Sequence, residues 1–313
     1  MAALPKIRAG MGDVAAPSVD AWSDDDYRRA TGLATILSPD GKADSAAVPA
    51  LAPEALRECY RTMLRIRALD ERARAGAEGD PSDGLLGPRG HEAAIVGAVA
   101  ALAADDVIVP GRREAVAALW RGHTVAALAA GQPAPRALGV LPGSPYRATQ
   151  LPHATGIAWA MKLQAKAGVS NQVTLAFLDR EVTSAEDFHA GVNFAGVFRV
   201  PAIFVCINGA HDGAASVETV SDTIAVKALA YGIAGVRVDG GDLFAMLAAA
   251  RAAAERARRG EGATLIEAAL TGKADPLDRV RSWLTGQKVL DAAAESALRR
   301  EVDAEAAAAF APS

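Results

Sequence analysis

The stretch that decides the fold is 175–215, LAFLDREVTSAEDFHAGVNFAGVFRVPAIFVCINGAHDGAA. It includes the end of one apolar run, 172–178, and the whole of a second, 202–207. The segment between them has apolar residues at helical spacing, which predicts a helix. Continuous apolar runs are typical of parallel strands that are covered on both faces. The stretch therefore predicts a strand, a helix and a second strand of one parallel sheet.

The same alternation extends through most of the chain. We predict strands at 107–110, 172–178, 202–207, 233–240 and 264–270. We predict helices after Ala52, from 91, through Trp120, at 151–167, from a Ser184 cap to about Phe198, at 219–231, at 243–259 and at the C-terminus. Strands that alternate with helices of this length indicate an α/β fold, a parallel sheet with helices on both faces. In such sheets, ligands bind outside the carboxyl ends of the strands.

Composition excludes several classes of function. The chain has 313 residues, 51% of them hydrophobic, and a formal net charge of −4. The negative charge argues against a nucleic-acid partner, and no apolar run is long enough to cross a membrane. The first residues do not resemble a signal peptide, and Cys206 lies in an apolar strand as a small buried residue. We expect a cytoplasmic protein.

The pattern divides the chain into three parts. Residues 1–52 are rich in Pro, Gly and acidic residues and predict an N-terminal tail or arm with a linker. Residues 53–270 hold the alternating strands and helices, and 271–313 predict a helical extension. Small residues in the helices that contain VGAVAALA and FHAGVNFAGVF favour close contacts between subunits, so we expect an oligomer.

Six blocks of sequence, in order, resemble one known family. They are YRTMLRIRALDERA (60–73), RGHEAAIVGAVAAL (89–102), ATQLPHATGIAWAMK (148–162), DFHAGVNFAGVFRVPAIFVCIN (187–208), TIAVKALAYGIAGVRVDGGDLFA (223–245) and RARRGEGATLIEA (256–268). The family is the alpha subunit of the dehydrogenase component of branched-chain 2-oxo acid dehydrogenase complexes. The resemblance implies a thiamine-diphosphate-binding fold that supplies the diphosphate half of the cofactor site. It also implies a beta-type partner chain that supplies the other half, in an α2β2 heterotetramer.

The resemblance assigns positions at two binding sites. The family's diphosphate contact is a Tyr-Arg pair, which here reads Arg112-Arg113, so the Arg matches and the Tyr does not. A monovalent-cation loop of the family ends in Ala-Thr-Gln, and Thr149 and Gln150 match that ending. The loop has one residue too many here, which alters the geometry expected of the cation site.

The positions of the family's metal ligands do not match. The spacing of 26 residues, 182–207, between the two strand ends is that of the family. The first ligand is a central Asp or Glu, and here it is Arg180; the second is the latter Asn of an Asn-Asn pair, which here reads Asn208-Gly209. The family's active-site loop is shortened and its His-bearing loop has no His here. We therefore expect no metal ligand and no catalytic residue, and no ordinary binding of Mg²⁺ and thiamine diphosphate.

Two interpretations of the arginines remain open. Arg112, Arg113 and Arg180 suit a metal-free anion site, because guanidinium groups bind phosphate in a bidentate manner. Alternatively, Asp179 and Glu181 neutralise Arg180 as an ordinary ion pair.

Two functions follow from these patterns. The first is a catalytically degenerate alpha-type subunit, a structural or regulatory partner of a beta-type chain. The alternative is an active enzyme that catalyses oxidative decarboxylation of branched-chain 2-oxo acids with thiamine diphosphate and transfers the acyl group to lipoamide. A stand-alone enzyme on the same fold lacks a recognisable nucleophile and base in the sequence.

Overall fold

The structure is a computed structural model that describes residues 23–76, 89–144, 146, 148–166, 171–209 and 219–311. Its strands are β1 (Val107–Val109), β2 (Thr174–Asp179), β3 (Ala202–Asn208), β4 (Ala234–Asp239) and β5 (Thr264–Ala269). Its α-helices are α1 (Asp24–Thr31), α2 (Pro53–Gly76), α3 (Glu92–Ala100), α4 (Val125–Ala129), α5 (Gln150–Lys166), α6 (Glu186–Phe198), α7 (Lys227–Ala230), α8 (Leu243–Arg258), α9 (Pro276–Gly286) and α10 (Ala292–Ala309). Short 3₁₀ helices occupy Arg113–Arg121, Arg136–Leu138 and Arg180–Ser184. None of the helices within these ranges is both long and apolar enough to cross a bilayer.

Within the described residues, the strands form one parallel sheet in the order β1-β2-β3-β5-β4. The strands β2 and β3 pair from Thr174 with Ala202 to Asp179 with Ile207. The strand β5 lies between β3 and β4, so the order of the strands in space differs from their order along the chain. The predicted α/β fold with a parallel sheet is confirmed.

Helices cover both faces of the sheet. Leu175 and Phe177 of β2 point into an apolar cluster that also contains residues of α2, α3 and α8. Ala176 and Leu178 point to the opposite face, into a second cluster with residues of α5 and α6. Alternate residues of one strand thus reach different cores, which explains why the central strands are apolar throughout. Cys206 belongs to the second cluster, as the sequence predicted.

Most of the helix α3 is buried inside its own chain, so its small residues serve internal packing, and a contact of this segment with another subunit stays a prediction. All residues from Glu92 to Val99 are buried. The small residues serve close packing on α8, because a Cβ at Gly97 would lie 2.7 Å from Cβ of Met246. The helix α6 differs, since Phe194 and Val197 on one of its faces are exposed.

Three local predictions differ from the structure in detail. Ser184 does not cap α6, because residues 180–184 form a 3₁₀ turn in which the Ser184 hydroxyl donates to the carbonyl of Glu181 at 3.1 Å. The helix predicted through Trp120 is a 3₁₀ helix. In the helix predicted at 219–231, only Lys227–Ala230 is α-helical. The N–H of Ala225 donates to Glu267, which holds that backbone out of helical bonding.

Residues 34–38 are bonded to the edge of the sheet. The N–H of Ala34 donates to the carbonyl of Arg237, and Asp239 returns a bond to the carbonyl of Ala34, both at 2.9 Å. The N–H groups of Ile36 and Leu37 both donate to Oδ2 of Asp242 at 2.6 Å. Ala34 therefore forms an isolated bridge beside β4, and Ile36 and Leu37 are held at the start of α8. The division of the chain at residues 52 and 270 stays a prediction.

A buried ion pair fixes the start of α3 relative to its neighbours. Nε of Arg67 in α2 lies 2.5 Å from Oε1 of Glu92, whose side chain is fully buried. A second nitrogen of Arg67 lies 3.0 Å from Asp275, the N-cap of α9. The other oxygen of Glu92 accepts from the N–H of Gly90 at 2.8 Å. One guanidinium thus joins three helices.

Replacing Glu92 by Ala should be strongly destabilising, because it removes the only fully buried partner of Arg67 among the residues described here. We expect the free energy of unfolding, measured by urea denaturation, to fall by about 3–5 kcal/mol. Glu71 is the matched control, since it pairs with Arg89 at 3.4 Å with both side chains exposed. The Glu71→Ala substitution should cost less than about 1 kcal/mol. Equal losses in the two variants would contradict the role given to Glu92.

Candidate functional site

Three strand ends bring the predicted site residues to one edge of the sheet. Because β1, β2 and β3 are parallel neighbours, their carboxyl ends lie side by side. The site residues follow these ends in order: Arg112 and Arg113 after β1, Arg180 after β2, and Asn208 with Gly209 at the end of β3. The residues at 210–218, including His211, lie outside the described part of the chain.

Arg113 pairs with a carboxylate from its own chain. Its Nη1 lies 3.2 Å from Oδ2 of Asp179, the last residue of β2, and the two side chains are 44% and 33% exposed. One of the two interpretations from the sequence pairs Asp179 and Glu181 with Arg180, and it stays a prediction; the contact described here joins Asp179 to Arg113. Arg112, Arg180 and Glu181 also interact with neighbouring groups. The positive charge of Arg113 is therefore partly neutralised by a carboxylate of the same chain.

Glu114 is a site residue that the sequence did not single out. Its side chain is buried, and its Oε1 has no hydrogen-bond partner within the described structure. Burial, together with the nearby charge of Asp179, raises the pKa of Glu114 to about 8, against hydrogen bonds from the backbone of Glu114 and Gly111. The carboxyl is therefore mostly uncharged at neutral pH. The sequence signal that could have identified Glu114 as a site residue is its position directly after Arg112 and Arg113.

His91 also belongs to the surroundings of Arg113. It is the N-cap of α3, and its Nδ1 has no hydrogen-bond partner among the described residues. Burial, together with the positive charge of Arg113, lowers the pKa of His91 to about 4. The ring is therefore neutral at ordinary pH. Sequence patterns assign no chemistry to His91, because its proximity to Arg113 arises from the packing of α3 beside the sheet.

Asn208 is held by a carboxylate on the neighbouring strand. Its Nδ2 donates to Oε1 of Glu267 in β5 at 2.8 Å. Glu267 is buried, and it also accepts from Nε of Arg237 at 3.3 Å and from the N–H of Ala225 at 2.9 Å. The side-chain amide of Asn208 is thus directed along the sheet, toward β5.

The two residues of the predicted cation loop have partners near the start of α5. The hydroxyl of Thr149 donates to Oδ2 of Asp187 in α6 at 3.2 Å. The amide of Gln150 is buried and donates to the carbonyl of Phe177 in β2 at 3.2 Å. Ala148 before them has a left-handed backbone, with φ of 67°. Pro145 and Arg147 of the loop lie outside the described residues, and a cation site stays a prediction.

The arrangement suits contact with an anion better than with a metal ion. Arg112, Arg113 and Arg180 are donors only, and guanidinium groups match the oxygens of phosphate. Within the ranges that the structure describes, no three His, Cys, Asp or Glu side chains are grouped closely enough to hold a metal ion.

The raised pKa of Glu114 predicts how stability depends on pH. In the unfolded chain the carboxyl ionises near pH 4.5, whereas in the folded protein it keeps its proton to about pH 8. The folded state therefore binds more protons in that window, and stability falls as the pH rises through it. Glu114→Gln should remove about 2–4 kcal/mol of this fall, measured by urea denaturation across the window.

The control for this prediction is Glu301→Gln, which changes an exposed carboxylate that lies 3.6 Å from Arg61. We expect its stability to follow the pH dependence of the unsubstituted protein. Parallel curves for the Glu114→Gln variant and the unsubstituted protein would show that Glu114 is ionised in the folded state, contrary to the prediction.

The chain is similar to known proteins over most of its length, and residues 60–271 match the dehydrogenase E1 component family. It is 35% identical over 248 residues to the pyruvate dehydrogenase E1 component subunit alpha of Bacillus cereus, covering 74% of this chain and 64% of that protein. It is 34% identical over 252 residues to 2-oxoisovalerate dehydrogenase subunit alpha 1, mitochondrial, of Arabidopsis thaliana, covering 74% and 52%. The chain thus spans between half and two thirds of the length of these relatives. It belongs to the dehydrogenase E1 component family and is related to the alpha subunits within that family.

Proposed function

We propose that this chain is an alpha-type subunit that does not bind Mg²⁺ and thiamine diphosphate in the ordinary way. Its role is then structural or regulatory, as the partner of a beta-type chain. The observation that carries the proposal is Arg180, which follows β2 at the position where the resemblance places a metal-binding acid. Relatives of this family depend on thiamine diphosphate, so the residues here must be tested against that cofactor and its metal.

The charge at position 180 opposes a divalent cation. Mg²⁺ is usually held by one or two carboxylates together with phosphate oxygens, and an Arg offers no lone pair. A unit charge pair at 4 Å is worth about 4 kcal/mol at an effective dielectric of 20. Changing −1 to +1 beside a +2 ion therefore costs on the order of 16 kcal/mol before the side chain relaxes, which is an upper bound. Even a quarter of that cost is large for a metal site.

The second metal position supports the same conclusion. Gly209 offers no side-chain oxygen, and the neighbouring Asn208 directs its amide nitrogen to Glu267 at 2.8 Å. Turning Asn208 toward a ligand would leave a buried carboxylate with one partner fewer, which is costly. The residues present therefore do not fit a magnesium-diphosphate group, and we derive no reaction step through it.

The second candidate function is the activity that the names of the relatives describe. The 35% identity with the alpha subunit of a pyruvate dehydrogenase favours it. On that hypothesis the chain, with a beta-type partner, takes part in oxidative decarboxylation of a 2-oxo acid and transfer of the acyl group to lipoamide. Pyruvate and branched-chain 2-oxo acids are both candidate substrates, since relatives of both names match.

Calorimetric titration of thiamine diphosphate with Mg²⁺, into this chain combined with a beta-type chain, separates the two functions. We expect no metal-dependent binding at micromolar concentration, because Arg180 repels the metal. The Arg180→Asp variant is the comparison, and it should raise the metal-dependent affinity by at least about tenfold, equal to 1.4 kcal/mol. Micromolar binding to the unsubstituted chain that disappears without Mg²⁺ would overturn the proposed function.

Association with a beta-type chain is part of the proposal, and an exposed apolar surface supports it. We call this surface the aromatic face: Trp159 and Leu163 of α5 with Phe194, Val197 and Phe198 of α6. Phe198 stacks on Trp159 with ring centroids 4.8 Å apart, and on Phe194 at 5.7 Å. Phe194 is 53% exposed and Leu163 is 51% exposed. Contiguous exposed apolar surface of this kind is typical of protein interfaces.

Replacing Phe194 by Ser should weaken assembly, because it removes an exposed ring from the aromatic face. We expect the dissociation constant for a beta-type chain, measured by light scattering over a dilution series, to rise at least about tenfold. Phe310, a partly exposed ring that follows α10, is the matched control, and Phe310→Ser should leave assembly unchanged. If both variants assemble like the unsubstituted chain, the aromatic face is not the interface.

A further inference from the structure

The contact between Arg113 and Asp179 places an anion of this chain on the one guanidinium that matches the diphosphate contact of relatives. Nη1 of Arg113 lies 3.2 Å from Oδ2 of Asp179. Asp179 ends β2 in an extended conformation, with φ of −89° and ψ of 159°. Its partner begins the 3₁₀ helix Arg113–Arg121 that follows the adjacent strand β1. The pair therefore bridges two neighbouring strand ends where a ligand would enter.

Two other titratable groups, Glu114 and His91, interact with the charge of Arg113. Neither of them supplies a negative charge that competes with Asp179 for Arg113. Glu114 is buried beside Arg113, and burial keeps its carboxyl largely protonated. His91 is neutral, since burial and the charge of Arg113 both disfavour its protonated form. Among the described residues, the negative charge that contacts Arg113 is therefore the carboxylate of Asp179.

A carboxylate and a phosphate make the same kind of contact with guanidinium. Both accept charge-assisted hydrogen bonds from its N–H groups, and both are held by the same planar arrangement of donors. A carboxylate that belongs to the same chain is always present at high effective concentration, whereas a ligand must be recruited from solution. A diphosphate would have to displace Asp179 and then lie beside its negative charge.

We propose that Asp179 is an intramolecular anion that occupies Arg113 and excludes diphosphate-type ligands from this edge of the sheet. The inference rests on the proposed function. It names the residue that occupies Arg113, the position that matches the diphosphate contact of the family. It is separate from the effect of Arg180, which acts on the metal. The ligand class that Asp179 excludes is a di- or polyphosphate anion, whatever group that anion carries.

The test is calorimetric titration of inorganic pyrophosphate, without metal, into the full-length chain at fixed ionic strength. Asp179→Asn keeps the shape of the side chain and removes its charge, so we expect at least about tenfold tighter binding than in the unsubstituted chain. Asp179→Gly is a second variant that removes the whole side chain and should show a gain of the same direction. Thermal unfolding of each variant confirms that it is folded.

Two controls make the test specific. Asp278→Asn removes the same charge from a pair on α9, where Asp278 lies 2.8 Å from Arg281, and it should leave pyrophosphate binding unchanged. Adding Arg113→Gln to Asp179→Asn should abolish the gain, because the released guanidinium is then absent. A gain in Asp278→Asn of the same size would assign the effect to net charge and overturn the inference.

The inference and the proposed function fail in different ways. Equal pyrophosphate affinity in the unsubstituted chain and in both Asp179 variants would overturn the inference and leave the proposed function standing. Micromolar pyrophosphate binding to the unsubstituted chain would also overturn it, because the site would then be open. Metal-dependent binding of thiamine diphosphate to the unsubstituted chain is the separate result that overturns the proposed function.

Discussion

The rest of the structure depends on the burial of the central strands on both faces. Since β2, β3 and β5 lie between two layers of helices, their backbone groups find partners along the sheet, and most of their side chains are apolar on both sides. The buried carboxylate of Glu267 in β5 is an exception, and it accepts hydrogen bonds from Asn208, Arg237 and Ala225. The same burial that makes the sheet rigid concentrates the chemistry of the chain at one edge.

At that edge, the charged and polar side chains mainly contact other residues of the same chain. Asp179 meets Arg113, and Glu267 meets Asn208 and Arg237. Glu114 avoids ionisation because it is buried. Each contact satisfies a group that would otherwise be free to hold a ligand. The family fold is thus compatible with an edge at which several polar groups bind one another, and this compatibility underlies the proposed function.

The sequence predicted the sheet well because the relevant signals are local. Apolar runs such as 202–207 and the Pro at the start of α2 act within a few residues, and the structure confirms both elements. The contact of Asp179 with Arg113 could not be predicted in the same way, because it joins residues 66 positions apart through the pairing of β1 with β2. The predicted helix at 219–231 failed for a similar reason: Glu267, far along the chain, binds the backbone at Ala225. Sequence patterns therefore predict structure best where a single helix or strand determines it. They predict least where a contact joins residues that lie far apart along the chain.

The bonding of residues 34–38 bears on where the folding unit ends. The family model matches residues 60–271, yet Asp242 inside this range accepts from Ile36 and Leu37, and Asp239 pairs with Arg279 at 2.9 Å. A fragment cut to the shared region would leave both carboxylates without these partners, and Asp242 is completely buried. Contacts that satisfy buried groups of the matched region therefore come from residues beyond both of its ends. Fragments intended for biochemical work should begin before residue 34 and continue beyond α9.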